Sequence, residues 1–291
     1  MFAEVAAACP TIVFVAHAGP LEPQAALLAA SLHENYLAGR VICRTMEPAA
    51  HWGHLSPDVA AFLADLGVTL MPADNPIDPD YKHGNKISAL GGLNERALFL
   101  DTDIMLMVPF SYHYMLSGAA AAKPADVDTF SAGGGSWARV WSLFDKDVPE
   151  KCYRASVSGE LIRPYYNAGF ILVEDGDRFA RTWAECAKKI DAQDDIRNKR
   201  PWLDQIALPL AFSELGVEVE ALTEAFNFPC HLLTIGDVSP YFAHYHYASV
   251  IAQQPKLSFR FRRLVEGYSP LKRILARYEG WDVLLDTLEL S

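Results

Sequence analysis

Five pairs of aspartates, each separated by one residue, punctuate this 291-residue chain: Asp78/Asp80, Asp101/Asp103, Asp126/Asp128, Asp145/Asp147 and Asp175/Asp177. Two carboxylates at that spacing can hold a hard divalent cation through oxygen, or act as nucleophile and general acid. A solvated turn uses the same residues, so context must select. Asp78-Pro-Asp80 and Asp145-Lys-Asp147 sit in polar, proline-bearing stretches and read as turns, and Asp126-Val-Asp128 follows a loop-like Lys-Pro-Ala. Asp175-Gly-Asp177 precedes a helical pattern, where Asp177 reads as an N-cap or dipole partner. Asp101-Thr102-Asp103 differs: in RALFLDTDIMLMV apolar residues lie on both sides. Burying carboxylates beside a core is costly unless a cation or donors compensate. A metal or catalytic role is therefore expected there.

Other residues suit the same chemistry. In YFAHYHY, His244 and His246 alternate onto one face of an extended segment, and imidazole joins carboxylate in mixed O/N metal sites. In HGNKISALGGL, Lys86 falls at the expected start of a helix, where the macrodipole disfavours a cation unless an anion binds there too. The alternative for Lys86 is a side chain reaching solvent.

These residues need a scaffold. TIVFVA reads as a strand ending at the turn His17-Ala18-Gly19-Pro20, followed by the helical QAALLAASLHENYLAG, the strand RVICRTM, the helix PDVAAFLADLG and the strand VTLMP. That alternation predicts a parallel α/β sheet, with ligands at the carboxyl ends of strands, where Asp101 falls after ALFL. ISALGGL reads as a helix, GAAAAKPADVDTFSAGGGSW as a loop or insertion, and YYNAGFILVE as a strand. DRFARTWAECAKKIDA and WLDQIALPLAFSEL read as helices, the second kinked or ended near Pro209. A single α/β domain over residues 1–255, with a basic extension over 256–291, is the simplest organisation.

Composition removes several classes. A net charge of −11 argues against nucleic-acid binding, which needs basic stripes. The five cysteines are widely spaced and form no CxxC pair, so reduced thiols and a cytoplasmic location are expected. The N-terminal MFAEVAAACPTIVFVA lacks a basic leader region, and no apolar run is long enough to span a bilayer. From Lys256 to Arg277 the tail carries seven basic residues and one acid, Glu266, interleaved with Phe, Leu and Tyr. Two readings stay open for it: a helix packed on the domain, or an interfacial segment making peripheral contact with anionic lipid.

Taken in order, FLDTD, YYNAGFILV, WLDQIAL and HYHYAS resemble the GT-A glycosyltransferases, in particular the retaining group of glycogenin and the bacterial lipopolysaccharide galactosyltransferases. The resemblance covers roughly residues 11–250 and rests on the four motifs together. It implies a Rossmann-like, mixed and mainly parallel sheet flanked by helices, with a C-terminal helical extension. It also implies transfer of a sugar from a nucleotide sugar, UDP by resemblance, to a hydroxyl of a glycan, lipid or protein, with retention and with Mn²⁺ or Mg²⁺. On this resemblance Asp101 and Asp103, flanking Thr102, hold the metal that bridges the donor diphosphate, and His244 or His246 completes its coordination. Asn167, Asp204 and Gln205 line the sugar and acceptor pocket, and Ala16, His17, Ala18 and Gly19 approach the nucleotide. The family's late His is followed by Gly and then by a Lys that reaches the leaving phosphate. Here neither histidine has that Gly, and Lys86 is left as the cation that would neutralise the diphosphate.

Two alternatives remain at this stage. A haloacid-dehalogenase-type phosphohydrolase also places DxD after an apolar strand. Its motif lies on the first strand and continues with Thr or Val where this chain has Met105. A non-catalytic nucleotide-sugar-binding protein would share the fold without the reaction.

Overall fold

The computed structural model describes residues 9–36, 39–110 and 118–290, so the first eight residues read above for a leader lie outside it. Two compact units emerge. The first comprises residues 1–72, 100–116 and 224–291, and the second residues 73–99 and 117–223.

In the first unit, strand Thr11–Ala16 is buried along its whole length, as its β-branched run requires. Helix Leu21–Asn35 returns the chain to strand Val41–Glu47, which pairs in parallel with Ile12 opposite Val41 and Ala16 opposite Thr45. Thr69–Asp74 lies on the far side of Val41–Glu47 with mostly exposed side chains.

A smaller sheet has the order Phe228–Pro229, Phe242–His244, Ile104–Leu106. Its antiparallel pair sets His244 opposite Ile104, the residue after Asp103. Leu106 is held from both sides: its N–H donates to Ser31 Oγ at 3.1 Å, and its carbonyl accepts from Arg260 Nε at 3.1 Å.

The C-terminal residues form four helices, Ala248–Gln253, Pro255–Gly267, Ser269–Leu275 and Trp281–Thr287. Leu257, Phe261 and Leu264 recur at helical spacing and are buried, while Arg263 and Arg273 are exposed. Arg260 pairs with Glu34, and His33 Nδ1 lies 2.8 Å from the Tyr268 hydroxyl, joining these helices to Leu21–Asn35.

In the second unit the strand order is Val219–Ala221, Ala120–Pro124, Tyr166–Val173, Ala97–Leu100. The first pair is parallel, and the second is antiparallel with a register shift between Ala122 and Pro124. The expected loop GAAAAKPADVDTFSAGGGSW is thus corrected. Its AAAKP is a fully buried strand, and Thr129–Ala132 and Trp137–Ser142 are short helices. Small side chains carry little strand propensity and show no alternation when every position is buried. The helix expected at ISALGGL shrinks to the single turn Gly84–Ile87, because turns take over before Gly91-Gly92.

Helices Gly176–Asp191 and Leu203–Leu215 form as expected, and the second runs through Pro209 without ending. Asp175, not Asp177, caps the first of them, accepting from Arg178 N at 3.0 Å. Asp177 sits in the first turn, accepts from Gly92 N at 2.8 Å and pairs with Arg181. Among the described residues no helix is long and apolar enough to cross a membrane. The mixed, mainly parallel sheet flanked by helices, with helices at the C-terminus, is a GT-A fold.

Candidate active site

The first unit brings together carboxylate and imidazole groups that could hold a metal ion. Asp101 follows strand Ala97–Leu100, Thr102 is buried with its hydroxyl donating to Val15 O at 2.6 Å, and Asp103 closes the turn into Ile104–Leu106. The Thr102 bond pins the turn to the end of strand Thr11–Ala16, leaving the flanking carboxylates half-buried. Tyr245 N donates to Asp103 O at 3.0 Å, extending the antiparallel register by one step. That register brings Asp103 Oδ1 to 2.9 Å from His244 Nε2. On the other side of the ring, His244 Nδ1 lies 2.9 Å from Asn227 Oδ1.

This arrangement fits a bound cation. With Nδ1–H donating to Asn227 Oδ1, the Nε2 lone pair would be free for a cation held together with Asp103. Asp103 Oδ1 and His244 Nε2, 2.9 Å apart, are close enough that both could hold one ion. Asp103, His244 and His246 offer ligand atoms all within 4.8 Å of one another. Asp101 stands outside that group, half-buried at the strand end. The sequence left His244 and His246 as alternatives, and the structure brings both to Asp103.

His246 is held unusually. Its φ is +60°, a left-handed conformation that costs a non-glycine residue about 1 kcal/mol or more. It sits at the centre of a three-residue turn closed by Tyr247 N donating to Tyr245 O at 2.6 Å. Its ring stacks on His244 with centroids 3.7 Å apart and planes at 14°, and His231 packs at 3.7 Å, tilted by 52°. Burial, with His244 and His231 beside it, pushes its pKa down to about 3 against the pull of Asp103. The imidazole is therefore neutral, with a lone pair to offer.

The proposed nucleotide loop is also in this unit. Gly19 has φ +93°, and its N–H donates to Glu22 Oε2 at 2.9 Å. His17 packs on Trp52 with centroids 5.0 Å apart, while Gly53 approaches Ala18 so closely that a Cβ there would lie 2.6 Å from the Ala18 Cβ. Ala16 is buried and Ala18 half-buried.

The second unit holds its own polar cluster. Asp204 is 1% exposed at the start of helix Leu203–Leu215. Tyr81 Oη contacts its Oδ1 at 3.0 Å and accepts its N–H at 3.0 Å, and Trp183 Nε1 donates to its carbonyl at 2.9 Å. Asp204 Oδ2 is buried without a hydrogen bond, and Lys86 Nζ lies 3.4 Å from it. Lys86 thus faces a buried carboxylate, a partner not anticipated from its place at a helix start. Burial, followed by the Asp204 charge, pushes the Tyr81 phenol well above its usual range. Gln205, the next residue, is half-buried.

Asn167 is the second residue of strand Tyr166–Val173. Its Oδ1 accepts from Gly169 N at 2.8 Å, and its Nδ2 donates to Asp126 Oδ2 at 3.4 Å. Asp126 also pairs with the fully buried Lys123 and accepts from Ser156 Oγ at 2.6 Å. Its partner Asp128 caps Thr129–Ala132, accepting from Ser131 N at 2.9 Å. Sequence reasoning passed over Asp126, Tyr81, Asn227 and His231. The first carried a signal, a Lys three residues upstream, whereas Asn227 in FNFPC carried none.

The galactosyltransferase LgtC, solved with donor and acceptor sugar analogs, is 13% identical with a TM-score of 0.55, covering 94% of this chain and 100% of its own. An active-site mutant of LgtC is 12% identical with a TM-score of 0.52, covering 88% of this chain and 94% of that one. At these identities the likeness shows the fold. The glycosyltransferase GlyE from Streptococcus pneumoniae TIGR4, in its apo form, is 16% identical with a TM-score of 0.48 over 81% of this chain. This chain spans only about half the length of GlyE, 54% of it. No curated protein matches the sequence. The model of the Rhodobacterales glycosyltransferase domain matches residues 12–216, well over half of the chain, and the chain belongs to that family. The matched span contains Asp101, Asp103, Asn167 and Asp204 and stops before His244.

Proposed function

We propose that the protein transfers a sugar from a nucleotide sugar, a UDP-sugar in the first instance, to a hydroxyl of a glycan, lipid or protein, with retention at the anomeric carbon. The single observation that carries this reading is the Asp103–His244 contact, backed by Asn227 and joined by His246. The donor set suits a divalent cation, which supplies Lewis-acid stabilisation of the departing diphosphate without a proton donor. This is also how an acidic chain would accept an anionic donor.

In this reading Asp101, Asp103, His244 and His246 hold Mn²⁺ or Mg²⁺, with Thr102 fixing the turn that carries the two carboxylates. Ala16, His17, Ala18 and Gly19 receive the nucleotide, Gly19 being the one residue of the four with positive φ. Asn167, Asp204 and Gln205 handle sugar and acceptor. Asp204 Oδ2, buried and without a hydrogen bond, is an acceptor suited to a sugar hydroxyl. Gln205 is the group proposed to stabilise the oxocarbenium-like centre. Lys86 is the cation proposed for the diphosphate, in exchange for its pairing with Asp204. The basic C-terminal helices are proposed to touch an anionic lipid surface through exposed Arg263 and Arg273.

The likeness of the fold to LgtC, solved with donor and acceptor sugar analogs, supports the choice of reaction. The test is hydrolysis of a panel of nucleotide sugars without acceptor, with and without Mn²⁺. Metal-dependent release of the nucleoside diphosphate is expected, and no binding or turnover of any nucleotide sugar would refute the reading.

A further inference from the structure

The helix that follows the loop at residues 17–19 begins with a carboxylate buried more deeply than capping requires. Glu22 is 4% exposed in the first turn of Leu21–Asn35. A carboxylate there meets unpaired N–H groups and the positive end of the helix dipole, and it does so equally well in solvent. Burying one is costly unless donors converge on it, and here three do. Gly19 N donates to Oε2 at 2.9 Å, while Glu22 N returns a bond to Gly19 O at 3.0 Å. Ser56 N donates to Oε1 at 2.5 Å, and the Tyr278 hydroxyl to Oε2 at 2.7 Å.

These donors come from three separate segments of the first unit. Gly19 has its backbone at φ +93°, and a Cβ there would meet nothing within 4 Å, so the glycine serves the shape of the loop and not its packing. Ser56 precedes helix Pro57–Asp65 and follows Trp52-Gly53, the pair that packs on His17 and Ala18. Tyr278 lies beyond helix Ser269–Leu275, 256 residues from Glu22. Its neighbour Arg277 pairs at 2.7 Å with Asp58, in the first turn of Pro57–Asp65. That exposed pair adds little by itself; the Tyr278 bond reaches the buried carboxylate. The segment read from sequence as a basic extension is thereby tied to the loop assigned to the nucleotide.

We propose that Glu22 and Tyr278 are positioning residues for nucleotide binding: Glu22 fixes the Gly19 turn against the Trp52 wall, and Tyr278 holds the Glu22 carboxylate from the C-terminal helices. The inference rests on the reading of residues 17–19 as the loop that receives the nucleotide, and it makes the C-terminal segment part of donor binding. Both residues act on the loop by raising the fraction of molecules in which it already has its receiving shape. Affinity falls by the factor that this fraction loses.

The experiment uses the full chain with Mn²⁺ and titrates UDP, GDP, ADP and CDP calorimetrically. For the diphosphate that the parent binds best, Tyr278→Phe should raise the Kd by about fivefold and Glu22→Gln by about twentyfold. The double variant should be no weaker than Glu22→Gln alone, because Tyr278 acts through that carboxylate. In turnover, the donor KM should rise in the same proportions with kcat kept within about twofold. Tyr268→Phe is the control. Its hydroxyl lies 2.8 Å from His33 Nδ1 and joins the same C-terminal helices to the other end of Leu21–Asn35, so nucleotide affinity should not change. Circular dichroism reports the fold of each chain, and Mn²⁺ affinity without nucleotide should match the parent in all of them. Unchanged Kd in Tyr278→Phe and Glu22→Gln, or a loss in Tyr268→Phe as large as in Tyr278→Phe, overturns this inference and leaves the transferase reading standing. A fall in Mn²⁺ affinity that matches the fall in nucleotide affinity overturns it too. A parent chain that binds none of the four diphosphates sinks the transferase reading and this inference with it.

Discussion

His244 Nε2 and Asp103 Oδ1 lie 2.9 Å apart although 141 residues separate them in the chain. The antiparallel pairing of Phe242–His244 with Ile104–Leu106 makes that meeting, because it sets His244 opposite Ile104 and so beside Asp103. Register, not proximity in sequence, builds the centre. A one-residue slip would turn His244 to the other face of its strand.

Asn227 is predicted to matter for metal binding despite touching no proposed substrate. Its Oδ1 lies 2.9 Å from His244 Nδ1 and is buried with it. Asn227→Ala removes the group that sets the imidazole tautomer, and metal affinity should fall by about 10- to 100-fold. Calorimetric titration with Mn²⁺ or Zn²⁺ checks this. An unchanged affinity in a folded variant would show that His244 is oriented by its strand alone.

Tyr81→Phe should lower stability by about 1–3 kcal/mol, because it leaves the buried Asp204 N–H and carboxylate and the Pro201 carbonyl without their shared hydroxyl. Thermal or urea unfolding reads the loss. A variant as stable as the parent would mean that another group takes over that hydroxyl's contacts.

Much of this was legible in the chain and some was not. Helix Gly176–Asp191 announces itself by period, and FLDTD by two acids inside an apolar run, since burial makes them conspicuous. The strand Ala120–Pro124 hides because its five buried positions, three alanines, a lysine and a proline, look like a linker. Asp126 reads as part of that linker, although Lys123 three residues earlier is its buried partner. Asn227 could not be found from sequence, because its role depends on which ring stands opposite it in the fold. His231 is a lone histidine in the sequence and acquires meaning only through the turn at His246.

Lys123→Met should destabilise the second unit by about 3 kcal/mol or more, since it strands the Asp126 carboxylate that Lys123 neutralises. The paired change Lys123→Met with Asp126→Asn should recover part of the loss. Unfolding of the single and double variants decides it, and equal stability of all three chains would contradict the pairing.

Acid stability should depend on Glu22. Its burial alone would raise its pKa, but donors from Ser56, Gly19 and Tyr278 outweigh that and hold the carboxyl below its ordinary value. A depressed folded pKa means a contribution fully present above the unfolded value, about 4.3, and lost as pH falls through the folded one. Glu22→Gln should therefore lower stability at neutral pH and flatten its decline on the acid side. A parallel shift of the whole pH–stability curve would show that the proton on Glu22 is not what is being titrated.

The central claim is that Asp103 and its imidazole partners hold the cation on which nucleotide-sugar cleavage depends. Its most direct test is acceptor-free turnover of a UDP-sugar by the parent chain and by Asp103→Ala, each with Mn²⁺ and with a chelator. The account predicts turnover in the parent that chelation abolishes and metal restores, and a drop of at least about a hundredfold in Asp103→Ala. Turnover that survives both chelation and Asp103→Ala would contradict it.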